Sequence, residues 1–330
     1  MADGFMYKHS YSEWSHFVLN ALQASTALKN EYAAFYDTIS KSTIDHRTAV
    51  DAYKTLLKCA YSKYFMLMVS PSVFLLDQKG SALGDDSNPI ERSCGLDGMD
   101  FIPLPVETRQ ANKELYQKFK KNYDAYKKAV VNPLFTWLLD AEQMYMLINV
   151  LAVLSAGVDH YNDTRELIKT VLSHARDKQD HWTSGFLGLV RLARLKKFGF
   201  VVPQCDRVIK EDRDNMLRIA TELVGKDRQL LNKNVNSGFF VCAAINSSES
   251  TQENGKALIR IRESENDWVT TSRVPEKVPE TEWKGFSYPR IKPVVPYRNN
   301  KTPKERGMGK ILTFMLSPNQ KPSSEQKSKP

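Results

Sequence analysis

The chain has 330 residues, of which 42% are hydrophobic and 26% are charged. This composition is typical of a globular protein with one large core or two smaller ones, and it excludes a chain that is disordered throughout. The formal net charge is +9, and residues 1–283 hold 36 basic and 36 acidic residues, so the excess lies wholly in residues 284–330. A basic tail of this kind favours nucleic acid, an anionic membrane or an acidic protein surface as a partner, or it serves only as a solubilising tail.

The cysteines and the apolar segments exclude further classes of protein. The four cysteines stand far apart without a CxxC pair, which argues against a zinc site built on paired thiolates and predicts reduced thiols in an intracellular compartment, cytoplasmic or nuclear. The first residues lack the apolar core of a secretory signal. The most apolar run, residues 144–158, is shorter than the roughly 20 residues of a membrane span, so we expect a buried helix there and no transmembrane segment.

Apolar residues at spacings of three and four predict a mainly α fold with about six helices. The predicted helical segments are residues 11–38, 43–69, 106–130, 134–157, 164–178, about 182–198 and about 207–231. Asp163 and Glu166 are spaced as a capping box at the start of segment 164–178. Gly199 is expected to end the segment that precedes it.

The pattern changes to short β-prone segments after residue 233. SGFFVCAAIN and GKALIRIRES predict a small C-terminal β-hairpin element at about 237–263, and DWVTTSRV is a candidate third strand. Nine of the fifteen prolines follow residue 274, so we expect a disordered basic tail from there on. The predicted parts are an N-terminal helical part (1–77), a long acidic loop (78–105), a central helical part (106–232), the β-hairpin element (233–274) and the Pro-rich flexible tail (275–330).

The segment GFLGLVRLARLKKFGF, residues 185–200, is the candidate anion-binding surface of the folded part. On a helix, Arg191, Arg194 and Lys197 form one row, with Lys196 to one side of it. Basic groups at this pitch match successive phosphates, and Arg does so with paired hydrogen bonds. The row is equally typical of a solvated face, because the helix dipole favours cations in the last turns whether or not a ligand binds.

A second basic segment, residues 113–128, interleaves lysines with aromatic residues. Lys118, Lys120 and Lys121 could line a groove for single-stranded nucleic acid whose bases stack on the rings. The rings recur at spacings of 3, 4 and 3, however, which favours their packing as one seam of the core. The four aromatic residues are Tyr116, Phe119, Tyr123 and Tyr126.

The tail combines basic, aromatic and proline residues, a mixture that suits an extended peptide lying along a polyanion or in a protein groove. Its candidate phosphate contacts are Arg290, Lys292 and Arg298. The apolar run ILTFML should not stay exposed, so we expect it to dock on its own domain, on a second copy or on a partner. Its candidate self-association residues are Ile311, Leu312, Phe314, Met315 and Leu316.

Signals for catalysis or metal binding are weak. His174, Asp177 and His181 would share one side of a continuous helix, but a fourth ligand is not identifiable and a helix break is expected near 179–182. Phosphate-binding glycine loops, GxSxG and HExxH are absent from the sequence. Cys205 is a candidate nucleophile that no spacing pairs with a histidine. We therefore expect a non-catalytic protein without a metal or cofactor.

The leading hypothesis is a non-catalytic protein that binds nucleic acid, RNA or a single strand in preference to a duplex, and self-associates as a homo-oligomer through its tail. Its contacts would be made mainly to the phosphate backbone and would weaken with salt. One alternative is a helical scaffold or adaptor that binds a partner protein through the Pro-rich tail. Another is a peripheral membrane-associated protein that requires anionic lipid.

Overall fold

The computed structural model describes residues 2–64, 100–139, 141–180, 195–231, 233–244, 248–261, 268–281, 283, 285–289 and 306–318. The chain divides into two compact units. The first comprises Met1–Leu139 and Val158–Val171, and the second comprises Asp140–Gly157 and Leu172–Pro330.

The described part of the chain begins with helices, and its first strand starts at Gln143. The helices are α1 (Ala2–Lys8), α2 (Tyr11–Ala24), α3 (Lys29–Ile39), α4 (His46–Tyr64), α5 (Thr108–Ala111), α6 (Lys113–Tyr126) with a π-helical continuation (Lys127–Val131), α7 (Asn132–Leu139), α8 (Val150–Ala156), α9 (Val158–Asp180), α10 (Arg213–Val224) and α11 (Met308–Leu316). The strands are β1 (Gln143–Leu147), β2 (Lys197–Val202), β3 (Asn236–Val241), β4 (Ser248–Glu253), β5 (Lys256–Ile261) and β6 (Trp268–Thr271). Short 3₁₀ turns cover Cys205–Arg207, Lys210–Asp212 and Gly225–Leu230.

The first unit is helical and is built around an aromatic core. Tyr116, Phe119, Tyr123 and Tyr126 of α6 are all buried, which confirms the predicted core seam. The Tyr123 ring lies 5.4 Å from that of Trp14 and 5.6 Å from that of Phe101. The lysines between the rings face outward, because a spacing of three or four residues returns to the same side of a helix.

The predicted helix 11–38 is broken in the structure at Ser25. The Ser25 hydroxyl donates a hydrogen bond to Oδ2 of Asp159 over 2.8 Å and accepts one from the Leu28 N–H over 3.2 Å. The Ala27 N–H also donates to Oδ2 of Asp159, over 3.2 Å. These bonds give the backbone an alternative to the helical pattern. Asp159 lies far away in the sequence, so helical periodicity alone could not reveal the break.

The second unit contains a parallel sheet that the sequence reasoning missed. Its strand order is β1-β2-β3, and both neighbouring pairs are parallel. Parallel neighbours require a crossover, and α10 lies in the connection between β2 and β3. Every residue of β2 is buried. A strand covered on both faces reads as a continuous apolar run, as a buried helix does, so the predicted helix 182–198 is wrong where it includes the start of β2. The predicted helix 134–157 is wrong where it includes β1.

Gly199 lies inside β2 and does not end a helix. It pairs in register with Tyr145 of β1, and a Cβ atom at this position would overlap the Tyr145 ring. The ring therefore covers the glycine across the two strands, a pairing that compensates for the missing side chain.

An antiparallel sheet with strand order β4-β5-β6 accompanies the parallel one. Asn254 and Gly255 both have positive φ, 49° and 75°, as a two-residue hairpin turn between β4 and β5 requires. The candidate third strand is confirmed as β6, which pairs with β5. The SGFFVCAAIN segment does not pair with GKALIRIRES, because its residues form β3 and pair with β2 instead.

The fold is therefore mixed α/β, with two small sheets, and the expectation of a mainly α protein with one β-hairpin element is wrong. The expectation that regular structure ends at residue 275 is also wrong, because α11 forms in the tail. Arg306 pairs with Ala243 in an isolated bridge, and Gly307, at φ 76°, turns the chain into α11. Among the described helices, none is both long and apolar enough to cross a membrane.

Candidate functional site

The predicted basic row is not assembled on a helix. Lys197 is the first residue of β2 and is only 2% exposed, whereas Lys196 precedes the strand and its ammonium lies 2.8 Å from Oε2 of Glu142. Neighbouring residues of an extended chain point in opposite directions, which separates the two lysines. Arg191 and Arg194 lie outside the described residues.

Lys197 holds the end of α11. Its Nζ donates to the carbonyl oxygens of Phe314 (2.7 Å) and Met315 (2.8 Å), and also to the carbonyl and hydroxyl oxygens of Ser317. The last carbonyls of a helix have no partner within the helix and carry its negative dipole end, so a buried ammonium is stabilised there. Lys197 thus acts as a structural clamp on the tail.

The inner face of α11 covers the parallel sheet. Ile311 is buried against Val201 and Cys242. The Phe314 ring packs at 6.4 Å from the ring of Tyr145 and 5.1 Å from that of Phe240. The ILTFML run therefore docks in part on its own unit, one of the three outcomes expected from the sequence.

The outer face of α11 carries apolar side chains that the described residues leave partly or largely exposed. Leu312, Met315 and Leu316 are 50%, 37% and 82% exposed, and their spacing places them on one side of the helix. We call these three residues the apolar row. Leu147, at the end of β1, is also exposed and lies on the same sheet face as Tyr145.

The remaining predicted site residues are scattered. Lys118, Lys120 and Lys121 are exposed on α6, and Lys120 forms an ion pair with Asp124 over 2.9 Å. Arg290, Lys292, Arg298 and His181, together with the side chains of His174 and Asp177, lie outside what the structure describes. Within the described residues, no group of three His, Cys, Asp or Glu side chains could hold a metal ion.

Cys205 lies at the carboxyl end of β2 and is fully buried. Burial raises the pKa of its thiol to about 12, with the Asp206 carboxylate adding to the effect. At pH 8 the reactive thiolate is then on the order of one molecule in ten thousand. This geometry does not favour Cys205 as a nucleophile.

We expect iodoacetamide at pH 8 to modify the half-buried Cys59 well before Cys205, as measured by mass spectrometry of peptides over time. In urea both cysteines should react at similar rates, which controls for intrinsic reactivity. Modification of Cys205 in the folded protein as fast as that of Cys59 would contradict the raised pKa.

A cavity of about 610 Å³ opens in the first unit between α1, α2 and the first half of α9. The cavity was not predicted from the sequence, although its lining residues follow helical spacing on α2 and on α9. The prediction that Asp163 and Glu166 cap a helix is wrong, because α9 already begins at Val158. The lining residues are Phe5, His9, Glu13, His16, Phe17, Asn20, Ala21, Ala24, Ser25, Asp159, Asn162, Asp163 and Glu166.

The protein is therefore a mixed α/β protein in which the tail helix α11 docks on a parallel sheet. Its two candidate binding surfaces are the apolar row and the cavity in the first unit. A family model described as the YcjX-like family, DUF463, matches residues 1–319, and the chain therefore belongs to that family. None of the curated proteins compared with the chain matches it.

Proposed function

We propose that the protein is a non-catalytic binding protein that self-associates through α11. The observation that carries this proposal is the apolar row, which stays exposed although a neighbouring side of the same helix packs on the sheet through Ile311 and Phe314 and the helix end is clamped by Lys197. Lys310 and Thr313, both exposed and spaced by three, already give α11 the polar side that a surface helix presents to water, so the exposed apolar row is additional to it. Contiguous exposed apolar surface marks an interaction site.

A second copy of the chain is the partner that suits this surface best. Among the described strands, β1 lies at an edge of the parallel sheet, and Leu147 at its end is a further exposed apolar residue of the same unit. A two-fold axis places the same apolar patch against itself, so no complementary charges are needed. Residues 319–330, which follow α11, contain no aliphatic or aromatic residue that could cover the row.

Sedimentation velocity over a range of protein concentrations tests this proposal. We expect the wild-type protein to associate and the Leu312→Glu/Leu316→Glu variant to remain monomeric, because two buried charges per copy would oppose the contact. Val269→Glu, which places a charge on the exposed strand β6, is the matched control and should associate as the wild type does. A wild-type protein that stays monomeric throughout would overturn the proposal.

Nucleic acid, as RNA or a single strand, is the second candidate partner, and the location of the net charge supports it. The whole +9 excess lies in residues 284–330, and Lys118 and Lys121 add exposed charge in the first unit. Lys197 is buried in the clamp on α11, so we remove it from the proposed contact set. The remaining cations would contact mainly the phosphate backbone.

Fluorescence polarisation with labelled RNA and DNA across a salt series tests this second candidate. The full-length chain should be compared with an Arg290/Lys292/Arg298→Ala variant, because deleting residues 284–330 would also remove α11. We expect the salt slope to fall by about 0.7 for each lost contact to a single strand. Absence of binding at physiological salt would contradict nucleic-acid binding and direct the search to a protein partner or anionic lipid.

A further inference from the structure

We propose that the cavity between α1, α2 and α9 binds an organic cation, an ammonium or guanidinium group carried on an apolar chain or ring. This inference goes beyond self-association and uses surfaces of the first unit alone. A volume of about 610 Å³ falls within the range of roughly 300–1,000 Å³ that is usual for small-molecule sites.

The apolar part of the cavity is formed by α1 and α2. The Phe5 ring is stacked between the imidazole of His9, at 3.9 Å, and the ring of Phe17, at 4.0 Å. Ala21 and Ala24 continue this wall along α2 and leave room in front of it. Stacked aromatic faces favour an apolar ligand body and attract a cation placed over a ring.

The charged part of the cavity comes mainly from α9. Asp159, Asp163 and Glu166 recur at spacings of four and three and therefore share the side of the helix that lines the cavity. Glu13 of α2 adds a fourth carboxylate. The described lining contains neither Lys nor Arg, although the chain has 47 such residues. An anion would therefore meet like charge on entry.

The carboxylates are held in place by their existing contacts. Asp159 accepts hydrogen bonds from Ser25 and Ala27, and Asp163 is buried. Glu166 lies on the exposed side, 3.7 Å from the ammonium of Lys169. Preformed acceptors of this kind reduce the ordering cost of binding a cation.

The groups around the stack keep the cavity negative near neutral pH. Two hydrogen bonds from Ser10, one from its N–H and one from its hydroxyl, lower the pKa of Glu13, which therefore stays charged. Burial lowers the pKa of His9, as do the nearby ammonium groups of Lys127 and Lys8, while Glu13 opposes the shift. The His9 ring is accordingly neutral at pH 7 and adds no positive charge.

A metal ion is a poorer occupant than an organic cation. No three His, Cys, Asp or Glu side chains among the described residues come together as metal ligands. Most of the wall is apolar, and a hydrated divalent ion would leave it uncovered, whereas an alkyl or aryl group would cover it.

Isothermal titration calorimetry of the full-length chain with three probes of similar shape tests the proposal. The probes are phenethylamine, which is cationic, 2-phenylethanol, which is neutral, and phenylacetate, which is anionic. Butylguanidine, an aliphatic monocation without a ring, separates the contribution of the ring stack from that of charge. We expect measurable binding of the two cations and none of phenylacetate.

Two variants locate the binding. Glu166→Gln removes one charge without a change in shape and should raise the dissociation constant of each cationic probe about fivefold. Glu114→Gln, on the exposed first turn of α6, is its matched control and should change nothing. Ala21→Phe fills the cavity and should abolish binding of every probe, and circular dichroism checks that it folds.

Phenethylamine binding no tighter than 2-phenylethanol binding, or cation binding that is unchanged by both Glu166→Gln and Ala21→Phe, would overturn the proposal. Neither outcome bears on self-association, because the apolar row belongs to the second unit.

Discussion

Replacing Lys197 by methionine is expected to lower the free energy of unfolding by about 3 kcal/mol. Methionine keeps most of the apolar stem but removes the ammonium that the carbonyl groups of Phe314, Met315 and Ser317 share. The Phe314 carbonyl keeps a hydrogen bond from the Ser317 hydroxyl and the Met315 carbonyl keeps one from Gln143, so the Ser317 carbonyl is the acceptor most affected. Hydrogen bonds from a charged donor are the stronger ones, and a partly buried acceptor that loses such a donor keeps part of its desolvation cost. Urea unfolding measures the loss. Hydrogen exchange in residues 308–318 should show that α11 loses protection first.

The neighbouring lysine provides the control for this experiment. Lys196 carries the same charge one residue earlier, but its ion pair with Glu142 is exposed. Lys196→Met should therefore cost no more than about 1 kcal/mol. Equal effects at the two positions would contradict the role of Lys197 as a clamp on α11, as would unchanged exchange in α11.

Replacing Asp212 by alanine is expected to lower the free energy of unfolding by about 3 kcal/mol. Asp212 is fully buried, and its carboxylate accepts hydrogen bonds from Arg273 at 2.7–2.9 Å and from the Val274 N–H at 2.9 Å. These bonds raise the pKa of Arg273 above its ordinary value. The guanidinium stays charged even without its partner, because the ordinary pKa of arginine already lies far above neutral pH. The Val274 N–H loses its acceptor as well. Arg273 itself is half exposed, so its guanidinium becomes hydrated when Asp212 is removed. The expected loss in the free energy of unfolding is therefore at the lower end of the range for a buried pair that loses one partner.

Two further substitutions separate charge from hydrogen bonding at Asp212. Asp212→Asn keeps an acceptor for Val274 and should cost less than Asp212→Ala in the same urea experiment. Glu249→Gln breaks the more exposed ion pair with Arg260 in the antiparallel sheet and should change the free energy of unfolding by less than about 1 kcal/mol. If Asp212→Ala lowered the free energy of unfolding by no more than Glu249→Gln does, the hydrogen bonds that Asp212 accepts from Arg273 and Val274 would not contribute measurably to stability.

Local patterns determined several features of the fold. The aromatic seam of α6 was predictable because spacings of 3, 4 and 3 define one side of a helix, and burial followed from that. Strands β5 and β6 were predicted in the same way, since short β-prone segments act over a few residues. Strand β4 was not predicted, and the segment predicted to pair with β5 forms β3 and pairs with β2 instead. The sequence predicted that ILTFML docks on a surface, but it did not predict that Leu312, Met315 and Leu316 stay exposed.

The parallel sheet could not be read from local patterns. Strand β2 is covered on both faces, so its apolar run carries no period of two, and its partners lie about fifty residues before it and about forty after it in the register. For the same reason Lys197 was assigned to a helical row, whereas the packing of α11 over the sheet turns it inward. The cavity in the first unit likewise depends on α2 and α9 coming together, with Asp159 bonded to Ser25 across a long stretch of sequence.

By itself, the sequence determined the helical periodicity of the first unit, the strands β5 and β6 and the concentration of positive charge in the tail, because each depends on residues close together in the chain. Only the tertiary structure decided which lysine is buried, which side of α11 stays exposed and where the acidic cavity lies. Those features arise when segments distant in the sequence pack against each other, and the free energy of that packing overrides local preference.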